Sequence, residues 1–200
     1  MITENMPQLS PEWFAARCGI PSASNFGKIL TPTGKLSTQA KKYAYQLAGE
    51  AVVGIKEEGY SNAAMERGVI MEEEARQYYE FAHDAEVEQV GICYRNERKP
   101  YSCSPDGIMP ELKRGLEIKC PLMATQVEYL LGGKLPNIYI PQVQGSMLVT
   151  QYESWAFCSY HPGMPVLDIV VERDEAYIEK LQKALYDFTQ ELKSIVEKIS

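Results

Sequence analysis

The chain has 200 residues, of which 45% are hydrophobic and 24% charged, with a formal net charge of −7. That length suits one domain with a real core, and residues 1–200 are read as a single domain. The acidic balance argues against broad, non-specific coating of a nucleic acid but leaves room for a local basic track, because residues 1–50 carry five basic against three acidic side chains.

No apolar run is long enough to span a membrane, and Met1 to Met6 lack the basic and apolar regions of a signal peptide, so a cytoplasmic location is the expectation. Five cysteines at wide spacing (Cys18, Cys93, Cys103, Cys120, Cys158) predict buried free thiols instead of a disulfide framework or a zinc site.

Ser10-Pro11 reads as an N-cap followed by proline at the first helical position, opening a short helix through Trp13 to Arg17. A second short helix is expected to start near Ser22 or Ser24. Thr31 to Lys35 reads as a loop, Ser37 as the cap of a helix running to about Val53, and residues 62–82 as another helix. Val90, Ile92 and Tyr94 then alternate, as in a half-buried strand. A second strand is expected to begin at Tyr101 and a third to carry Leu116, Ile118 and Cys120. Residues 122–132 and 138–150 read as helical, 154–160 and 166–171 as strands. Tyr177, Leu181, Leu185, Phe188, Leu192 and Ile195 mark a final amphipathic helix. The order predicts an α/β fold (α+β type) with one mixed central sheet flanked by helices.

The chemistry concentrates in Ser104-Pro105-Asp106-Gly107 and Gly115-Leu116-Glu117-Ile118-Lys119-Cys120-Pro121. Strand alternation sends Leu116, Ile118 and Cys120 to the core and projects Glu117 and Lys119 together on the other face. Asp106, before a glycine, faces them across a hairpin. Two carboxylates and an amine at one place suit Mg2+ or Mn2+ and phosphodiester hydrolysis. Taken alone, Glu117 and Lys119 also fit an exposed strand face with a weak ion pair. Glu72 shares a helix face with Arg76 and is a third possible metal carboxylate, whereas Glu73 and Glu74 read as a solvated acidic run. Gln142, at the start of a helix, has the reach to touch a water or a phosphate; a surface amide is the equal alternative.

These segments, from Trp13-Phe14-Ala15-Ala16-Arg17 through Val171-Glu172-Arg173, resemble the phage lambda exonuclease (YqaJ-type recombinase) branch of the PD-(D/E)XK nucleases. The resemblance implies a PD-(D/E)XK core and a magnesium-dependent 5′-to-3′ exonuclease acting on linear double-stranded DNA ends to leave a 3′ overhang. It implies two Mg2+ ions per site, for which Mn2+ can substitute, a ring-shaped homotrimer, and a single-strand annealing protein as partner. By position, Asp106 and Glu117 fall on its metal ligands, Lys119 on its catalytic lysine, Glu72 on its upstream acid and Gln142 on its helix glutamine. Arg17, Ser24 and Ser104 fall on its 5′-phosphate pocket, and Met65 on the wedge that splits the terminal base pair.

Other readings remain open. A structure- or sequence-specific endonuclease can use the same metal site, and a catalytically silent module can bind DNA ends. Arg17 also reads as a cap on the carbonyls of its own helix. His83 and His161 read as structural or solvent-facing, Trp13 and Trp155 as core or interface, and the basic turn at residues 95–99 as solvated.

Overall fold

A computed structural model describes residues 1–56 and 63–200, without the side chains of residues 63–66 and 69. The chain runs β1 (Ile2–Glu4), α1 (Pro11–Arg17), a 3-10 helix (Ala23–Lys28), α2 (Ala40–Val53), α3 (Ala63–His83), β2 (Ile92–Tyr94), β3 (Ser102–Cys103), β4 (Gly107–Met109) and β5 (Arg114–Lys119). It continues through α4 (Met123–Gly132), a 3-10 turn (Asn137–Tyr139), α5 (Ile140–Thr150), β6 (Ser154–Ser159), β7 (Leu167–Glu172) and α6 (Glu175–Ile199). Among the described residues, no helix is long and apolar enough to cross a membrane.

The strands form two sheets, where the sequence suggested one. A three-stranded sheet has the order β1-β2-β3, and a four-stranded sheet the order β4-β5-β6-β7. The second is mixed: β5 and β6 are parallel, and the other two pairings antiparallel. Parallel neighbours need a crossover connection, and here that crossover contains α4 and α5. The crossover lays α5 over the sheet face that bears Glu117, which is why β5 is buried on both faces along Gly115–Ile118. On the opposite face Leu116, Ile118, Ala156 and Cys158 pack with Ala75 and Tyr79 of α3.

Local signals explain the helices. Ser10 accepts from the Trp13 N–H, so α1 starts with a side-chain cap and Pro11 behind it. Ser37 does not cap α2: it accepts from the Gln39 N–H in a preceding turn, and the helix begins at Ala40. The apolar stripe of α6 packs on α2, with Tyr43 stacked against Phe188 at 5.6 Å. Burying each such large side chain is worth about 1.5–3 kcal/mol.

The alternating strand expected at Val90, Ile92 and Tyr94 is instead a short central strand. Val90 lies outside it, and Cys93 is as buried as its neighbours, because β1 and β3 pair with its two edges while Trp13 and Ile20 pack on one face and the main core beneath α5 on the other. Cys93 faces Cys103 across the β2-β3 ladder, and all five cysteines are free thiols. Trp155 is fully buried. His83, exposed, pairs with Asp168 of β7, and Lys99 of the basic turn pairs with Glu4.

Candidate active site

The β4-β5 hairpin creates the meeting point. Gly107 pairs with Leu116, and the Asp106 N–H donates to the Leu116 carbonyl at 3.1 Å, so Asp106 stands at the strand end beside Glu117. Gly107 serves a close approach: a Cβ there would lie 2.1 Å from Cγ1 of Val87. One carboxylate oxygen of Asp106 accepts from the Ile118 N–H at 2.6 Å, which fixes the side chain against β5. Glu117 is only 2% exposed, so it does not lie on a solvated strand face. Its Oε1 accepts from Lys119 and, at 2.5 Å, from Gln142 Nε2 at the start of α5. The positive end of that helix adds to the field around the buried carboxylate. Lys119 also lies 5.3 Å above the Tyr139 ring.

Electrostatics mark the place as short of positive charge. Burial, and then the neighbouring Glu117, push the Asp106 carboxyl well above its usual range. Burial opposes the charge on Lys119, but Glu117 and Asp106 outweigh it and hold the ammonium above its ordinary value. Glu72 is also raised, chiefly by burial, although Arg76 lies 3.6 Å away. One buried and one half-buried carboxylate facing one ammonium are a hard-oxygen donor set that a divalent cation would neutralise, so these residues fit such an ion. Among the described residues, however, no three carboxylate, thiol or imidazole groups gather into one metal-ligating cluster. Glu72 stands beside the pair of Asp106 and Glu117, close enough to act on the charge of both.

The second half of the site is a cradle around Arg17. This arginine is 7% exposed, stacks 4.1 Å over the Trp13 ring and donates to three hydroxyls: Ser104 at 2.9 Å, Ser22 at 3.1 Å and Ser24 at 3.5 Å. It is not spent on the carbonyls of its own helix, whose end is closed by the Cys18 N–H on Ala15. Among the described residues its Nε has no partner, and burial lowers the guanidinium pKa. A buried cation that donates to hydroxyls lacks a counter-charge, which an anion would supply.

Both halves open into one cleft of about 170 Å3, bordered by Arg17, Ser24, Ser104, Asp106, Glu117 and Lys119, with Gln142 also on its wall. Glu72 lines an adjoining cavity that shares Asp106. The role expected of Met65 falls on a side chain outside the described residues. Further residues join the site that the sequence did not single out for it. Ser22 joins the Arg17 cradle, and Trp13 donates to Ser104 at 3.1 Å. The i, i+4 spacing of Trp13 and Arg17 on one helix was a legible hint of their shared face. Gln8 also lines the cleft, and no sequence pattern marks it.

Residues 12–153 match the YqaJ-like viral recombinase domain. The chain belongs to this family. Over 95% of its length it is 31% identical to an alkaline exonuclease, LHK-Exo from Laribacter hongkongensis, covering 96% of that chain with a TM-score of 0.86. The same relative has been solved in complex with dAMP. A phage-related exonuclease from Haemophilus somnus 129PT shares the fold, with a TM-score of 0.73 at 15% identity over 90% of this chain and 96% of that one. The Escherichia coli (strain K12) protein ExoD is 30% identical over 78 residues, which cover 36% of this chain and 90% of ExoD. The YqaJ-type chain described here is thus a nuclease, a DNA exonuclease of a family that generally uses divalent metal ions.

Proposed function

We propose that this protein is a magnesium-dependent 5′-to-3′ exonuclease. It digests one strand of linear double-stranded DNA from a 5′-phosphorylated end and leaves a 3′ single-stranded overhang for recombination by strand annealing. The observation that carries the reading is the single cleft that joins the Arg17 cradle to Asp106, Glu117 and Lys119. Ser104 bonds Arg17 and lies two residues before Asp106, so a phosphate gripped at Arg17 would lie near the metal carboxylate. The relative's complex with dAMP supports a cleft that accepts a nucleoside monophosphate.

In this mechanism Arg17, Ser24 and Ser104 bind the terminal 5′ phosphate through charge-assisted hydrogen bonds. Asp106 and Glu117 would hold the metal, two Mg2+ ions or Mn2+ in their place. Bound there, the metal would supply a polarised phosphoryl group and an activated water. Lys119 orients that water or neutralises charge on the phosphate. Gln142 keeps Glu117 in place from the helix side, and Glu72 with Arg76 borders the far wall. Met65 is proposed as the strand-splitting wedge. The assembly is proposed as a homotrimeric ring working in the host cytoplasm with a single-strand annealing protein. An acidic exterior around a local basic lining would suit DNA threaded through such a ring.

The test is linear duplex beside relaxed closed-circular duplex, each with Mg2+ or with EDTA, and with strands labelled at one end. Loss of linear DNA alone, from the 5′ end and only with Mg2+, is expected. Nicking of the circle would mean an endonuclease, and binding without cleavage a silent end-binding module. Light scattering at several concentrations checks the ring, which a monomer degrading long duplex processively would exclude.

A further inference from the structure

The segment Asn5 to Leu9, between β1 and α1, lines the cavity on the Glu72 side, and its Gln8 also reaches the catalytic cleft. Its path is tightly held. Met6 crosses Gly91 so closely that a Cβ on Gly91 would lie 2.4 Å from the Met6 carbonyl oxygen and 2.8 Å from its nitrogen. Leu9 takes a left-handed backbone, φ 65°, a conformation that a side chain such as leucine adopts only when its surroundings impose it. What the segment delivers is Gln8. Its Nε2 donates to the Val90 carbonyl at 3.1 Å and to the Pro105 carbonyl at 2.9 Å. Both protons of one amide are thereby used on two different strand connections.

Pro105 lies between the two halves of the site: Ser104 precedes it and Asp106 follows. Proline has no N–H, so its residue can be tied to the fold only through its carbonyl. The Pro105 carbonyl also belongs to the peptide bond whose N–H, on Asp106, binds Leu116. That peptide plane is thus pinned on both edges, by Gln8 on one side and by β5 on the other. Gln8 also lies between two cavities, the 170 Å3 cleft and a larger one of about 560 Å3 on the Glu72 side; among the described residues, Gln8 and Asp106 line both.

We infer that Gln8 is a positioning residue of the exonuclease: it locks the Pro105 peptide and so fixes the spacing between the phosphate grip at Ser104 and the metal carboxylate at Asp106. The inference rests on the roles proposed above for those two residues. Displacement of a catalytic group by about 1 Å costs on the order of a hundredfold in rate, so loosening this peptide should be visible without any change in fold.

The experiment uses Gln8→Met, which keeps the length and removes both donors, and Gln8→Glu, which sets a carboxylate against two carbonyls. Both are compared with wild type on 5′-phosphorylated and 5′-hydroxyl duplex ends over a range of Mg2+, with thermal denaturation alongside. The expected result for Gln8→Met, at unchanged melting temperature, is a rise in half-saturating Mg2+, a kcat lower by about tenfold or more, and a smaller phosphate-to-hydroxyl rate ratio. Gln8→Glu should be at least as impaired. Wild-type values of all three quantities in Gln8→Met would overturn the inference, and so would a pure loss of melting temperature with those values retained. Asp106→Asn, run in parallel, separates the two levels: an active Asp106→Asn refutes the metal role itself, whereas an inactive one with unperturbed Gln8→Met refutes only the positioning role.

Discussion

Arg17 and Asp106 are linked through one short turn: the Arg17 guanidinium binds the Ser104 hydroxyl at 2.9 Å, and Asp106 follows two residues later beside Glu117. The proposed anion grip and the proposed metal carboxylate are therefore joined by one short segment of chain. A guanidinium presents donors in a planar fork that an ammonium cannot copy. Arg17→Lys should keep its fold and its metal dependence but lose most of its preference for 5′-phosphorylated over 5′-hydroxyl ends. An unchanged rate ratio on the two substrates would remove Arg17 from phosphate recognition.

Lys119 should matter twice. Loss of a positioned charge-stabilising group costs on the order of a hundredfold or more in kcat, so Lys119→Ala should bind DNA ends yet cleave them slowly. It also leaves Glu117 and Asp106 without their ammonium. Removing one partner of a largely buried pair destabilises by about 3–5 kcal/mol at most. The melting temperature of Lys119→Ala should therefore fall in EDTA and recover in part when Mg2+ is added. A variant with near-normal cleavage would reduce Lys119 to an ion-pair partner.

The raised pKa of Asp106 has a thermodynamic consequence in the metal-free protein. The folded state holds this proton more tightly than the unfolded state. Stability therefore falls as pH rises from the unfolded carboxyl value through the higher folded one. In EDTA at about pH 7, Asp106→Asn should be more stable than wild type, and the difference should shrink towards about pH 4. Thermal denaturation across that range checks the sign. Mg2+ should raise the melting temperature of wild type and not of the variant.

The core offers a prediction independent of chemistry. Gly115 of β5 lies under Trp155 of β6, where a Cβ would meet the indole ring at 2.3 Å. Gly115→Ala should destabilise by about 1–3 kcal/mol through overpacking, measured by urea denaturation. Since Glu117 and Lys119 lie on the same face of β5, activity should fall with it.

Periodicity made most of the helices legible, and so was the Asp106, Glu117 and Lys119 set, because strand alternation and a hairpin are local rules. The Ser10-Pro11 cap and the stripe of α6 came through for the same reason. What failed was long-range. Ile2–Glu4 has no strand signature and becomes β1 only by pairing with Ile92–Tyr94, some ninety residues away. Gly107 marked only the residue after Asp106, yet it opens β4 and accommodates Val87. The burial of Glu117 depends on α5 crossing the sheet, a tertiary event that β5 alone does not encode. Gln8 was invisible because its partners are backbone carbonyls, which any sequence supplies.

The most direct measurement of the central claim is turnover by purified Asp106→Ala on 5′-phosphorylated linear duplex in Mg2+, with Mg2+ or Mn2+ binding measured on the same sample by calorimetry. The account predicts a folded protein that still associates with DNA ends, releases no nucleotides and binds the metal much more weakly than wild type. Retained turnover with wild-type metal affinity would contradict it.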